Sequence, residues 1–120
     1  IEQRIVQDLG FLTGALVVAE GKNFVSTLLF PDFELLGLIK KSLGFVGGDI
    51  DFLSSKELNE FSEKKIAEVN SYLDRSEQIF KFKIINEQIS IACGDITPSM
   101  KLRRSNLERK YRKEIEEIYS

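Results

Sequence analysis

The run Thr13-Gly14-Ala15-Leu16-Val17-Val18-Ala19-Glu20-Gly21-Lys22-Asn23-Phe24-Val25-Ser26-Thr27-Leu28-Leu29-Phe30 decides the fold. Two stretches rich in β-branched and aromatic residues flank Gly21-Lys22-Asn23, which supplies turn chemistry. Strands over 13–20 and 24–30 with so short a connection form an antiparallel hairpin. Upstream, Ile1, Ile5, Val6 and Leu9 share one helical face and Gly10 marks a stop. Downstream, Pro31-Asp32 breaks the strand and opens a helix with Leu35, Leu36, Ile39 and Leu43 as its buried stripe, ended by Gly44. Residues 44–53, with Gly47-Gly48, read as a loop. Ser54 and Glu57 have capping-box spacing before a helix carrying Leu58, Phe61, Ile66, Val69 and Leu73. Residues 79–85 alternate as a third strand, Phe80 and Phe82 inward and Lys81 and Lys83 outward. Ser105 and Glu108 repeat the capping-box spacing before a terminal helix with Leu107, Tyr111, Ile115 and Ile118 on one face. The expected architecture is α+β: a small antiparallel three-stranded sheet, the N-terminal hairpin plus a later strand, packed with helices.

Composition narrows the function. The 120 residues suffice for one domain with its own core, and 42% apolar with 30% charged residues excludes wholesale disorder. No apolar run approaches the roughly 20 residues needed to span a bilayer. The opening Ile1-Glu2-Gln3-Arg4 has no signal-peptide pattern and no initiating Met, and reads as an excised or processed piece. The chain has one cysteine, Cys93, and no histidine, which fits a cytoplasmic setting and removes histidine-based catalysis and a zinc site. A net charge of −2 argues against non-specific nucleic-acid binding. Yet from Lys101 onward seven basic residues face four acidic ones, so positive charge gathers at one end.

That end holds the segment with chemical character, Thr97-Pro98-Ser99-Met100-Lys101-Leu102-Arg103-Arg104. Pro98 opposes regular strand pairing, and three cations fall within four residues. Such a loop suits anion contact, because lysine is a mobile point charge and arginine forks onto oxyanions. Read locally, the same cations serve equally as a solvated face. Elsewhere the simpler readings hold. Gly47-Gly48 lacks a following Lys-Ser/Thr and reads as a turn rather than a phosphate loop. Asp49 and Asp51 read as solvated carboxylates, Ser99 has no local base, and Cys93 reads as a small buried or half-buried residue.

The segment Gly94-Asp95-Ile96-Thr97-Pro98-Ser99-Met100-Lys101-Leu102-Arg103-Arg104 resembles the last motif of the adenylate-forming enzymes, in the form Gly-Glu-Leu-Thr-Pro-Thr-Leu-Lys-Leu-Lys-Arg of their long-chain acyl-CoA ligase branch. Asn70-Ser71-Tyr72-Leu73 followed by Glu77-Gln78-Ile79-Phe80-Lys81-Phe82 is similar to that branch's Asn-x-x-Leu and Glu-x-Ile-x-x-Phe run. Ile1-Glu2 resembles the residues after the family's Gly-rich hinge. Phe24-Val25 with Pro31-Asp32 resembles its Phe-Val to Pro-Asp strand, and Glu108-Arg109-Lys110-Tyr111 with Ile115, Ile118 and Tyr119 its closing helix. Asp95 stands where Glu is commoner and Arg103 where Lys is frequent, and residues 86–93 follow the pattern poorly.

The resemblance implies that residues 1–120 are a single C-terminal mobile domain whose larger N-terminal adenylation domain and hinge lie elsewhere. It implies that Lys101 enters the active site while ATP and a fatty acid become acyl-adenylate, after which the domain rotates for thioester formation with CoA. Mg2+ would accompany ATP in the full-length enzyme, with no cofactor held tightly here and no activity in the domain alone. Arg103 and Arg104 are not read as catalytic. An acyl–acyl-carrier-protein synthetase domain remains the alternative within the family. Outside it, the rival is a stand-alone module binding acidic partners through the basic terminal helix. Peripheral membrane contact of the full-length enzyme stays open.

Overall fold

Strands β1 (Leu12–Val18) and β2 (Val25–Pro31) pair antiparallel, with Ala15 opposite Leu29 and Leu16 opposite Leu28. The structure, a computed structural model, describes residues 1–19 and 21–119. Glu20, placed at the end of the first strand by its sequence, lies outside them. Apolar residues run almost unbroken along both strands because both faces of the sheet are covered, as in a central layer. Ala15, Val17 and Leu29 join a cluster with Ile5, Leu9, Phe52, Leu58 and Val69 on one face. Leu16, Leu28 and Phe30 join a second with Ile89, Ile96, Leu107, Tyr111 and Ile115 on the other.

The first face is covered by four helices: α1 (Glu2–Leu9), α2 (Phe33–Ser42), α3 (Asp49–Leu53) and α4 (Lys56–Asn70). Asp32 caps α2 by accepting from the Glu34 amide at 3.0 Å. Leu36 is the buried residue of α2, whereas Leu35, assigned to its stripe by spacing, is exposed. Helix α3 occupies part of the stretch read as loop; its five residues are too few for a periodic signal, and Phe52 and Leu53 hold it to the core. The cap of α4 is Ser55 rather than Ser54. The Ser55 hydroxyl accepts from the Leu58 amide at 3.1 Å, while Ser54 closes α3.

The third strand, β3 (Ile79–Ile84), runs parallel to β2, so the sheet is mixed rather than antiparallel throughout. Its order is β1-β2-β3. The chain leaves β2, passes through α2, α3 and α4, and returns to the end from which β2 started, which makes the next strand parallel. A strand's own side-chain pattern carries no record of that direction. At its start, Asn70 acts as a stand-in for a neighbouring strand: its amide donates to the Ile79 carbonyl and accepts from the Ile79 amide, both at 2.8 Å. The register slips by one residue here, with Val25 opposite Ile79 but Ser26 opposite Lys81. Phe80 is the extra residue of this bulge and is 72% exposed, against the inward placement that alternation predicts. The bulge keeps Ile79 and Phe82 on the same face.

The second face is covered by residues 85–103 and by α5 (Arg104–Lys110) and α6 (Arg112–Tyr119). The terminal helix is therefore broken at Tyr111, and α5 begins before Ser105, so Ser105 caps nothing. Its expected buried face, Leu107, Tyr111, Ile115 and Ile118, does line the core. Tyr119 shares its hydroxyl proton between the Phe24 and Val18 carbonyls at 2.7 and 3.0 Å and accepts from Ser26 at 2.8 Å, fastening the helix to the hairpin end. In residues 86–93, Gln88 accepts from the Phe33 amide at 2.8 Å and donates to Thr13 at 3.0 Å. Cys93 is exposed on a turn, not buried.

Two outcomes follow for stability. Ser62 on α4 is fully buried, and its hydroxyl has no hydrogen-bond partner among the described residues. Ser62→Ala should raise the urea midpoint, by about 1 kcal/mol of stability, since an unsatisfied buried hydroxyl is removed; a lower midpoint would mean the hydroxyl is bonded. Tyr111 is 3% exposed and its phenol donates to Glu87 at 2.5 Å. Burial first, then Glu87, push its pKa far above the ordinary value of 10. The folded phenol thus keeps a proton that the unfolded one loses near pH ~10, so stability is complete below that pH and falls as pH rises beyond it. Urea midpoints measured across that pH should decline less steeply for Tyr111→Phe than for the parent.

Candidate functional site

The segment 97–104 forms a tight hairpin on the second face of the sheet. Ile96 and Leu102 pair as an antiparallel bridge. Within it, the Thr97 amide donates to the Lys101 carbonyl and the Met100 amide to the Thr97 carbonyl, each at 2.8 Å. Residues 97–100 are thus a β-turn with Pro98 second, where its fixed φ fits. Met100 closes the turn at φ 66°, the left-handed conformation that ends three-residue hairpin loops. Thr97 completes the loop: its hydroxyl accepts from the Lys101 amide at 3.1 Å and lies 3.0 Å from that of Ser99.

A buried carboxylate anchors this hairpin. Asp95 is 2% exposed. It accepts from the Ser90 amide at 3.1 Å and from the Lys110 ammonium at 3.2 and 3.3 Å. Its own amide donates to the Ser90 carbonyl at 3.1 Å, and its carbonyl accepts from the Arg103 amide at 2.9 Å. A carboxylate removed from water needs such a set of donors. Gly94, at φ 76°, turns the chain into it.

The other face of the hairpin rests on β1. A Cβ on Gly14 would stand 2.7 Å from a methyl carbon of Leu102, so the absence of a side chain there lets Leu102 lie against the strand. Arg104 then reaches across. One terminal nitrogen donates to the Val17 carbonyl at 2.9 Å and the other to the Glu2 carboxylate at 2.6 Å, and the same carboxylate oxygen accepts from the Val17 amide at 2.7 Å.

Lys101 stands at the exposed shoulder of the hairpin. Among the described residues neither it nor Arg103 has a side-chain hydrogen bond or ion pair. Lys101 borders an open cleft of about 520 Å³, floored by Gly14 and Ala15 and walled by Gln3, Val6 and Gln7 of α1. The arrangement presents a mobile cation from a rigid base. Asp49, the other acidic candidate, pairs with Lys40 at 2.9 Å. No group of three or more Cys, Asp or Glu side chains placed to hold a metal ion occurs among the described residues. Sequence reading missed the fork of Arg104 on Glu2, whose partners lie 102 residues apart without a local signal. It also missed the anchoring by Asp95. Glycine inside a strand, at Gly14, was the one mark of a close approach that could have been read.

A family profile described as the AMP-binding enzyme C-terminal domain matches residues 1–120. Long-chain-fatty-acid–CoA ligase FadD15 of Mycobacterium tuberculosis is 26% identical over 111 residues, 91% of this chain and 18% of that protein. Human long-chain-fatty-acid–CoA ligase 6 is 28% identical over 101 residues, 82% of this chain and 14% of that protein. The chain thus spans about a fifth or less of the length of the curated relatives it matches. The adenylation domain of a carboxylate reductase from Mycobacterium chelonae superposes with a TM-score of 0.73 at 16% identity, covering 98% of this chain and 17% of that one, and shares the fold. With its whole length matched by that profile, the chain belongs to the family of AMP-binding enzyme C-terminal domains.

Proposed function

We propose that this chain is the mobile C-terminal domain of an AMP-forming long-chain fatty acid–CoA ligase, and that Lys101 is its catalytic residue. The observation that carries the reading is a contrast within the basic end. Arg104 and Lys110 are held by Glu2 and Asp95 inside the domain, while Lys101 stands exposed on a braced hairpin without an acidic partner among the described residues. A cation kept from internal pairing is available to anions brought by another domain.

In the first half-reaction a fatty-acid carboxylate oxygen attacks the α-phosphorus of ATP, and pyrophosphate leaves. Two anions must approach, and the Lys101 ammonium offsets their repulsion and the charge that builds at the reacting phosphoryl group. ATP, the fatty acid and the accompanying Mg2+ would be bound chiefly by the larger adenylation domain. The domain then rotates, Lys101 withdraws, and the CoA thiol attacks the acyl carbonyl with AMP as leaving group. A lysine on a hairpin that moves as one piece with its domain suits a group that must arrive and leave. The names of the relatives support a fatty acid and CoA as substrates and a place in lipid metabolism. An acyl-carrier-protein acceptor is the alternative, since the acceptor need not be chosen by these residues. The stand-alone module binding acidic partners through the terminal helix is less favoured, because Arg104 and Lys110 of α5 already have carboxylate partners in the fold. No helix among the described residues is long and apolar enough to cross a membrane. The free Cys93 fits a reducing, cytoplasmic compartment.

The test uses the full-length enzyme. Lys101→Ala should lower fatty-acid-dependent ATP–pyrophosphate exchange by about 100-fold or more, yet leave thioester formation from preformed acyl-adenylate nearly unchanged. The isolated 120-residue chain should catalyse neither step. Full exchange activity in the lysine variant would overturn the assignment.

A further inference from the structure

We propose that the Glu2–Arg104 pair orients the Lys101 hairpin relative to the polypeptide that arrives from the adenylation domain, which makes Arg104 a positioning residue for acyl-adenylate formation. The inference rests on the function proposed above and adds to it how Lys101 is aimed.

The hairpin is fixed to its own layer by Asp95 and to the strand beneath by Leu102 on Gly14. Neither contact ties it to α1, the element nearest the entering chain. Among the described residues Arg104 alone does so directly through a side-chain ion pair, and it does so with a fork. One arm holds the Val17 carbonyl and the other the Glu2 carboxylate, which in turn holds the Val17 amide. Three elements, the start of α1, the outer edge of β1 and the start of α5, therefore meet at one closed set of hydrogen bonds. Arg104 follows Lys101 by three residues, and both border the same cleft with Glu2. Both terminal nitrogens of the guanidinium are occupied, which is the arrangement of a brace rather than of a free anion receptor.

The pair is partly exposed, with 49% of the Arg104 side chain and 32% of that of Glu2 open to solvent. An ion pair so placed contributes little to folding stability. Its effect lies in direction. Lys101 must meet atoms bound by another domain, so a small angular error where the chain enters becomes a displacement of the ammonium at the reacting centre, where about 1 Å of misplacement is costly in rate. Thioester formation, with Lys101 withdrawn, does not depend on that aim.

The experiment compares Arg104→Ala, Arg104→Lys, Glu2→Gln and the double variant Glu2→Gln/Arg104→Ala in the full-length enzyme, beside Lys101→Ala. Arg104→Ala should lower kcat for pyrophosphate exchange about tenfold, with KM for ATP within about twofold and a melting temperature within about 3 °C of the parent. Thioester formation from preformed acyl-adenylate should stay within about twofold of the parent. Arg104→Lys keeps the charge but cannot fork, and should fall between parent and Ala. The double variant should be no worse than the poorer single one, the mark of two residues acting as one unit. A raised KM for ATP at unchanged kcat would make Arg104 a phosphate ligand and overturn the proposal. Equal loss in both half-reactions together with a lower melting temperature would reduce it to a stability effect. Unchanged exchange in Arg104→Ala beside a crippled Lys101→Ala would refute the positioning role and leave the catalytic reading standing. Full activity of Lys101→Ala would remove both.

Discussion

Three strands make a sheet too narrow to bury its own surface, and both of its faces are apolar. That constraint governs the rest of the domain. Leu16, Leu28 and Phe30 point one way, Ala15 and Leu29 the other, so helices must cover both sides. The crossover through α2, α3 and α4 serves one side and brings the third strand back parallel. The C-terminal third of the chain serves the other. The lysine hairpin is therefore part of a covering layer, held by the burial that holds the sheet.

The layer is apolar except at one point. Asp95 is a carboxylate among Ile89, Ile96 and Leu107-centred packing, and such a group destabilises a core unless its donors are complete. Here the Ser90 amide and the Lys110 ammonium supply them, while the backbone of Asp95 is tied separately to Ser90 and Arg103. Apolar packing tolerates small slides of one surface over another, whereas this set of hydrogen bonds has one geometry. The base of the hairpin inherits that definition, and Leu102 on Gly14 extends it outward to Lys101.

Local signals were legible in the sequence where they depend on neighbours along the chain. The hairpin over 13–30, the stop at Gly10, the cap at Asp32 and the buried face Leu107–Ile118 each follow from spacing and residue type. The direction of β3 was not legible, because parallel and antiparallel strands share the same alternation. The capping-box spacing pointed to Ser54, but α3, held to the core by Phe52 and Leu53, ends on Ser54, and the cap of α4 falls one residue later, at Ser55. Alternation also failed at Phe80, where one inserted residue shifts the phase and turns the ring outward. In the site, resemblance pointed to Lys101, but no local pattern joins Glu2 to Arg104 or Gly14 to Leu102.

The bulge at Phe80 has a colloidal meaning as well as a geometric one. A narrow sheet has two edge strands, and an open edge is a template for pairing with another chain. Along β3 the phase shift interrupts the run of backbone groups, and Lys81 and Lys83 place charge beside it. Along β1, Glu2 and Arg104 occupy the amide and carbonyl of Val17. The two edges are thus blunted by different means, one by a break in the ladder and one by side chains that take the place of a strand, and neither offers a neighbouring molecule a flat, unbroken row of amides.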